Sequence, residues 1–279
     1  MFDDGAQFFT VRDPRFGEFV DEWIGEGLVL DWFHSHLIRG GGTHPDGHPR
    51  YCGVRGMRSI TEHLAGGLTV RTGCEVVVLE AGGKGWSLHL AEGEKLEADA
   101  LLLTPPAPAS LALLAESGLV LSGDAREELQ RVEYTPCIAV LAVLDGPSAL
   151  TEWGAVRVGG DTIDWIADNQ RKGISPAVTA ITIQAMPGFS REHWDEDDRS
   201  VGQRLLDSAA KLLLAGVKGA TVHRWRLGKP VEPYPRTYAE IAADPPGLLA
   251  GDAFKGYRVE GATLSGFEAA ERLVRELGL

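Results

Sequence analysis

The spacing of apolar residues along the chain predicts several helices. Between Pro14 and Gly25 the apolar side chains recur at the intervals that place them on one face of a helix. The same periodicity predicts a long amphipathic helix over Asp198–Ala215. Shorter helices are predicted over Met57–Ala65, Pro108–Glu116 and Ala125–Arg131.

Short apolar or alternating segments predict strands between these helices. The predicted strands are Leu68–Thr72, Glu75–Leu79, Trp86–Ala91, Ala98–Thr104, Cys137–Leu144, Thr162–Ala167, Val178–Gln184, Ala220–Trp225 and a short strand that ends at Gly251. Ala98–Thr104 is almost continuously apolar, which is typical of a strand covered on both faces. It ends before Pro105 because proline cannot donate a hydrogen bond to a central ladder. Gly82–Gly85 predicts a hairpin turn, and the Gly/His-rich segment Gly40–His48 predicts an irregular loop.

The order of these elements indicates the fold class. Strand–helix units at both ends flank a middle part whose strands suggest a mostly antiparallel sheet. We therefore expect an α/β fold of mixed α+β character. Two interleaved domains are expected, in place of two domains joined by a linker.

Composition narrows the classes of function. The 279 residues are 44% hydrophobic and carry a net charge of −13, which argues against a nucleic-acid partner. The longest apolar runs are far shorter than the ~20 residues of a bilayer span, and the acidic N-terminus does not resemble a signal peptide. Three widely spaced cysteines favour a reducing compartment. We expect a cytoplasmic protein with a small-molecule substrate and no membrane partner; the sequence indicates no oligomeric state.

Metal binding and nucleophilic catalysis are less well supported. Four histidines lie close together, and a His-x-His pair can chelate zinc, but no cysteine or glutamate accompanies them at a recognised spacing. These residues are His34, His36, His44 and His48. Nothing places a base beside Cys52 or Cys74, so buried structural thiols are favoured there. We predict no metal site and assign no catalytic residue.

The C-terminal segment carries the clearest candidate site. Leu248, Leu249 and Ala250 predict a short buried strand, and Gly251 removes the side chain where a ligand would approach. Asp252 offers a carboxylate that can accept hydrogen bonds from a polyol. The helix that follows has small residues and a dipole that favours negative charge at its start. The small positions are Gly261, Ala262, Ser265, Gly266, Ala269 and Ala270. A helix packed closely on a strand, with Asp252 as a turn residue, is the alternative interpretation.

This segment resembles the flavin-closing motif of renalase-like and amine-oxidase-like oxidoreductases. Further segments resemble that family in the same order along the chain. They are Asp4–Thr10, Tyr51–Met57, Thr104–Pro108, Trp165–Asn169, Gln184–Met186 and His223–Arg226. The resemblance covers essentially the whole chain, and its co-linearity is more specific than any single motif.

The resemblance implies FAD as the cofactor and gives roles to particular residues. Asp252 would contact the ribityl or diphosphate region, and Val77 lies in a strand whose backbone usually contacts the adenine. The implied cofactor-binding residues are Val77, Thr104, Pro105, Gly251, Asp252, Glu260, Gly261 and Ala262. Gln7, His223 and Trp225 are implied on the substrate side, where an aromatic wall and a few polar groups suit a flat heterocycle.

The resemblance also implies a domain division. Residues 50–107 and 236–279 would form an incomplete Rossmann-like FAD-binding domain, and residues 1–49 and 108–235 an antiparallel-sheet substrate domain. The family's GxGxxG fingerprint does not occur in the sequence, and Asp4 stands where relatives tend to carry histidine.

Two functional hypotheses follow from the resemblance. The first is an FAD-dependent oxidoreductase in which hydride passes from a dihydronicotinamide-like or amine substrate to flavin, which oxygen or a quinone reoxidises. The second is an N-terminally truncated, non-catalytic remnant that binds a small molecule or a partner without FAD.

Overall fold

The computed structural model describes residues 1–34, 36–38, 42–44, 48–83, 85–121 and 123–279. The helices are α1 (Pro14–Gly25), α2 (Arg58–Leu64), α3 (Ala107–Glu116), α4 (Ala125–Gln130), α5 (Pro187–Glu192), α6 (Asp198–Leu213) and α7 (Val259–Leu277). The strands are β1 (Val29–Phe33), β2 (His36–Ile38), β3 (Gly42–His44), β4 (Arg50–Gly53), β5 (Val76–Gly82), β6 (Gly85–Leu90), β7 (Lys95–Ala98), β8 (Leu101–Leu103), β9 (Tyr134–Leu144), β10 (Ala155–Arg157), β11 (Ile163–Asp168), β12 (Ala180–Ala185), β13 (Val217–Pro230), β14 (Ala239–Ala242) and β15 (Gly247–Leu249).

The chain divides into two compact units, each built from two segments. Unit 1 comprises residues 1–67 and 135–228, and unit 2 comprises residues 68–134 and 229–279. The predicted mixed α/β class with antiparallel sheets is confirmed. The predicted FAD-binding and substrate domains have boundaries that differ from those of the two compact units. They stay a prediction, because compact packing does not define which segments bind a cofactor.

Unit 1 is organised around a seven-stranded sheet. Its strand order is β13-β9-β12-β11-β10-β2-β3, and the β9–β12, β12–β11, β11–β10 and β2–β3 pairs are antiparallel. α6 presents Val201, Leu205, Ala209 and Leu213 to this sheet, one residue per turn, where they join the buried strand residues in one core cluster. Asp197 caps this helix by accepting a hydrogen bond from the Ser200 amide at 3.0 Å.

Unit 2 contains two three-stranded sheets. β5, β6 and β7 form an antiparallel meander, and β15 lies between β14 and β8 in the second sheet, parallel to β8. The fully buried Trp86 joins them, because its indole nitrogen donates to the Pro246 carbonyl at 2.9 Å. A Cβ atom at Gly247 would lie 2.5 Å from the Trp86 ring, so this contact requires glycine. α7 covers the opposite face, where Ala269 packs on Leu248.

Most of the predicted elements form, with small shifts at their ends. α1 has the predicted bounds, since Asp13 caps it and Pro14 occupies its first turn. The hairpin of β5 and β6 also forms, with Gly82 paired to Gly85. Lys84, at the centre of that turn, lies outside the described residues.

Three strand and loop predictions are wrong. Residues 68–72 form no strand: Leu68 and Val70 are exposed, and the segment pairs with none of the strands that the structure describes. The predicted strand Ala98–Thr104 is divided, because Ala98 ends β7 and only Leu101–Leu103 pairs with β15. Within the predicted Gly40–His48 loop, β3 forms by pairing with β2; residues 40, 41 and 45–47 lie outside the described part of the chain.

Candidate functional site

The end of β15 is held against α7 by a chain of hydrogen bonds. The Gly251 amide donates to the Ser265 hydroxyl at 2.9 Å, and that hydroxyl donates to the Thr237 carbonyl at 2.5 Å. Gly251 has φ +132°, and a Cβ atom there would lie 3.3 Å from the Thr104 carbonyl oxygen. Because β8 and β15 are parallel, Thr104 and Gly251 come together at the carboxyl edge of the sheet.

Asp252 projects at this edge in a half-buried position. Its carboxylate accepts a hydrogen bond from the Tyr134 hydroxyl at 2.9 Å, and the Ala107 amide at the start of α3 donates to the same hydroxyl at 3.3 Å. Burial raises the pKa of Asp252 above its ordinary value, and the hydrogen bond from Tyr134 partly opposes that shift. Sequence reasoning missed Tyr134, which lies 118 residues from Asp252 and in no recognised motif.

The first turn of α7 lies very close to the preceding loop. A Cβ atom at Gly261 would overlap the Gly256 carbonyl group, 2.7 Å from its carbon. Glu260 is buried in this turn, where its charge complements the helix dipole. By contrast, nothing lies within 4 Å of a Cβ atom at Gly266. Close packing therefore explains glycine at 261 and leaves glycine at 266 without a packing reason.

The structure brings most, but not all, of the predicted cofactor residues together. Thr104 and Pro105 are exposed at the end of β8, beside Gly251 and Asp252. Ala262 is half-buried, and its amide donates to the Arg258 carbonyl within the first turn of α7. Val77 lies elsewhere, in β5, with an exposed side chain.

These groups fit the ribityl part of a flavin cofactor. The Asp252 carboxylate accepts hydrogen bonds from hydroxyl groups, and the absence of a side chain at Gly251 allows close approach. The amides at the start of α7 favour negative charge, as on the N1/O2 edge of a reduced flavin. The sequence has no GxGxxG to bind the pyrophosphate, so the fit concerns the ribityl and ring side of FAD.

The substrate-side candidates lie in unit 1 around residues 3–7. Gln7 is buried and donates through Nε2 to the Asp3 carbonyl at 2.6 Å, while its Oε1 atom is buried and has no partner among the described residues. Trp225 donates through its indole nitrogen to the Asp4 carbonyl at 3.1 Å. Its ring would lie 3.4 Å from a Cβ atom at Gly5, which is an ordinary van der Waals contact, so Trp225 packs directly beside Gly5.

His223 completes this group. It lies two residues before Trp225, on the same face of β13, and the two ring centroids are 4.6 Å apart. The structure therefore brings Gln7, His223 and Trp225 to one region, as the resemblance implied, with the partly exposed Trp225 ring as a flat apolar surface.

A buried ion pair fixes residues 3–7 to the turn that follows β11. The Lys172 ammonium lies 2.6 Å from Asp3 Oδ2 and donates to the Gln7 carbonyl at 2.5 Å. It also lies 4.6 Å from the centre of the Trp32 ring, and the second Asp3 oxygen accepts the Met57 amide at 2.8 Å. Sequence patterns do not reveal this pair, although Trp165–Asn169, one of the segments that resemble the family, ends just before Lys172.

Metal ligands do not gather in the part of the chain that the structure describes. No group of three or more His, Cys, Asp or Glu side chains is placed to hold an ion there. His34 pairs with Asp31 at 2.5 Å, and the side chains of His36 and His44 lie outside the described residues. None of the described helices is long and apolar enough to cross a bilayer.

The three cysteines differ in exposure. Burial raises the pKa of Cys52 to about 11, and burial likewise raises the pKa of Cys137 to about 11. By exposure, Cys52 is buried, whereas Cys74 and Cys137 are both half-buried, so the raised pKa is what sets Cys137 apart. Since the thiolate is the reactive form, Cys52 and Cys137 are expected to react slowly near neutral pH.

Titration with Ellman's reagent at about pH 8 is expected to show one fast thiol per native chain and three after unfolding. Cys74→Ser is expected to remove the fast phase, and Cys137→Ser to leave it unchanged. A fast phase that persists in Cys74→Ser would contradict the assignment.

The family model of flavin containing amine oxidoreductases matches residues 15–274, and the chain belongs to that family of FAD-dependent oxidoreductases. The family resemblance and the FAD cofactor expected from the sequence are thereby confirmed.

Solved structures of similar fold span a wide range of sources. Cyclohexylamine oxidase from Brevibacterium oxydans IH-35A matches with a TM-score of 0.62 at 16% identity, over 84% of this chain and 56% of that one. A protein from Exiguobacterium sp. 255-15, assigned as a protoporphyrinogen oxidase, matches with a TM-score of 0.59 at 18% identity, over 82% and 53%. A Pyrococcus furiosus protein matches with a TM-score of 0.54 at 17% identity, over 82% and 54%. At these identities the likeness shows the fold, and the chain spans about half the length of these relatives.

Proposed function

We propose that this chain is part of an FAD-dependent oxidoreductase of the renalase-like or amine-oxidase-like group. The observation that carries the proposal is the edge formed by Thr104, Gly251 and Asp252 beside the start of α7. Bound FAD would supply the hydride acceptor for a dihydronicotinamide-like or amine substrate, with oxygen or a quinone as the reoxidant.

In unit 2 the chain's own residues bind and orient the cofactor. Asp252 would accept a hydrogen bond from a ribityl hydroxyl, and the Tyr134 hydroxyl holds its carboxylate in place. The α7 amides near Gly261 favour negative charge on the flavin ring. Close approach of the cofactor to the backbone is possible because Gly251 has no side chain.

In unit 1 we assign substrate binding to Gln7, His223 and Trp225. The Trp225 ring supplies a flat apolar surface for a heterocycle or an amine substituent. Gln7 Oε1 is a buried acceptor with no partner among the described residues, and an N–H group of a substrate would satisfy it. A cytoplasmic location and a small-molecule substrate are part of this proposal.

The second candidate is a non-catalytic remnant that binds a small molecule or a partner without FAD. It is favoured by two observations: the sequence contains no GxGxxG, and β8 has only one described strand beside it, β15. Titration of the chain with FAD separates the two candidates. Flavin fluorescence quenching together with a raised melting temperature supports the enzyme, and the absence of both supports the remnant.

Asp252→Asn is expected to weaken FAD binding about 10- to 100-fold, because a hydrogen bond to a charged group contributes about 1.5–3 kcal/mol. The same variant is expected to be more stable than wild type without FAD at neutral pH. Burial raises the pKa of Asp252, so the folded chain binds that proton more tightly than the unfolded chain. Ionisation of Asp252 therefore destabilises the folded wild type. The stability of the wild type is unaffected below pH 3.8, the ordinary pKa of the group, and falls as the pH rises above that value.

Denaturant unfolding across pH measures the stability, and fluorescence titration measures the affinity. The stability gain of Asp252→Asn should disappear below pH 3.8, where the wild-type group is protonated in both states. Asp195→Asn, an exposed position in unit 1, is the matched control. Equal FAD affinity in Asp252→Asn and Asp195→Asn would remove Asp252 from the site.

A further inference from the structure

A polar cavity of about 550 Å³ lies within unit 2, beside β14 and α7. Three basic side chains line it, Arg236, Lys255 and Arg272, against the two acidic side chains of Glu240 and Glu268. The chain as a whole carries a net charge of −13, whereas three basic side chains stand against two acidic ones in the lining of this cavity. The volume is that of a small-molecule site.

The acidic side chains of the cavity are already bonded within the protein. The Thr237 hydroxyl donates to Glu268 at 2.6 Å, and the Arg272 guanidinium lies 3.6 Å from Glu240. Arg272 also pairs with Glu276, while its Nε atom is buried and has no partner among the described residues. None of these contacts involves Arg236 or Lys255.

Arg236 and Lys255 are the two remaining cations of the cavity. Neither side chain forms a hydrogen bond or an ion pair with any residue that the structure describes. The backbone nevertheless fixes the two segments side by side, since Tyr234 donates to the Ala253 carbonyl at 2.7 Å and accepts from the Lys255 amide at 2.7 Å. Both residues are exposed, and they line one cavity from adjacent backbones.

Lys255 also has a strained backbone. Its φ is +47°, in the left-handed region that disfavours residues with a side chain. Glycine would adopt this conformation without penalty, and Gly256 is the next residue along the chain. A strained residue that is retained in place of glycine points to a role for its side chain.

We propose that this cavity binds a small molecule through an oxyanion, a phosphate or a carboxylate group, held by the Arg236 guanidinium and the Lys255 ammonium. Guanidinium and ammonium groups form short, charge-assisted hydrogen bonds with both kinds of anion. The site is separate from the Asp252 edge in its residues, and its occupancy does not depend on FAD.

Calorimetric titration of the full chain with inorganic phosphate and with succinate, at constant ionic strength in chloride, tests the proposal. At least one probe is expected to bind with a Kd below about 1 mM. The probe that binds identifies the ligand as a phosphate or a carboxylate. Arg236→Gln is expected to weaken that binding about tenfold, as for the loss of one charged hydrogen bond.

Lys255→Gly separates binding from folding. It is expected to weaken anion binding about tenfold while the melting temperature without ligand stays equal or rises, because glycine relieves the left-handed strain. Lys218→Gln, an exposed position on β13, controls for the loss of one positive charge. Binding of neither probe, unchanged affinity in Arg236→Gln and Lys255→Gly, or equal weakening in Lys218→Gln would each overturn the proposal.

Discussion

Lys172→Met is expected to lower the free energy of unfolding by about 3–5 kcal/mol, because it leaves the Asp3 carboxylate buried without its partner. Lys172 and Asp3 are both buried, and the ammonium lies 2.6 Å from the carboxylate oxygen. The substitution also removes the donor to the Gln7 carbonyl and the contact with the Trp32 ring. It therefore loosens the segment that carries the substrate-side residue Gln7.

Urea unfolding of the full chain measures this effect, and a second variant tests its cause. Asp3→Asn combined with Lys172→Met removes both charges, so it should recover a large part of the lost stability. Lys218→Met is the control for a lysine on the surface, where substitutions usually change stability by less than about 0.5 kcal/mol. If Lys172→Met and Lys218→Met unfold at the same denaturant concentration, the ion pair does not stabilise unit 1.

Gly261→Ala and Gly266→Ala are expected to change stability in opposite directions, although both lie in α7. A Cβ atom at 261 overlaps the Gly256 carbonyl group, so the start of the helix must move, at a cost of about 1–3 kcal/mol. A Cβ atom at 266 meets nothing within 4 Å. There alanine should stabilise the helix by about 0.5–1 kcal/mol through its higher helix propensity.

Thermal unfolding of the two variants compares these effects directly. FAD titration adds a second readout, since displacement of the start of α7 moves the amides proposed to face the flavin. Gly261→Ala should therefore weaken FAD binding as well as stability. Equal melting temperatures in the two variants would mean that the loop containing Gly256 accommodates the extra carbon without strain.

Local patterns predicted the elements that are fixed by local chemistry. α1 formed with the predicted bounds because its cap, its first-turn proline and its apolar stripe lie within a dozen residues. α6 ended two residues early, at Leu213, because Leu214 adopts φ +58° and leaves the helix. Segment 68–72 has a strand-like pattern, but a strand also needs a partner to bond with, and sequence pattern does not reveal a missing partner.

The candidate site was predictable to the extent that it follows motifs. Gly251 and Asp252 follow directly from a buried strand, and parallel pairing with β8 places Thr104 at the same edge. Glycine at 261 is explained by the close Gly256 carbonyl, which a small-residue pattern alone leaves unspecified. Val77 was assigned by resemblance to a strand whose backbone contacts the adenine; its side chain is exposed in β5, and the assignment stays a prediction.

The sequence by itself determined the family, the mixed α/β class and the residues at the carboxyl edge of β15, because these depend on periodicity and on motifs a few residues long. Only the tertiary structure decided which distant groups meet. Lys172 lies 169 residues from Asp3, and Tyr134 lies 118 residues from Asp252. Such pairs are selected by the burial of charge and hydroxyl groups, which must find partners once the core closes, and no local pattern encodes that choice.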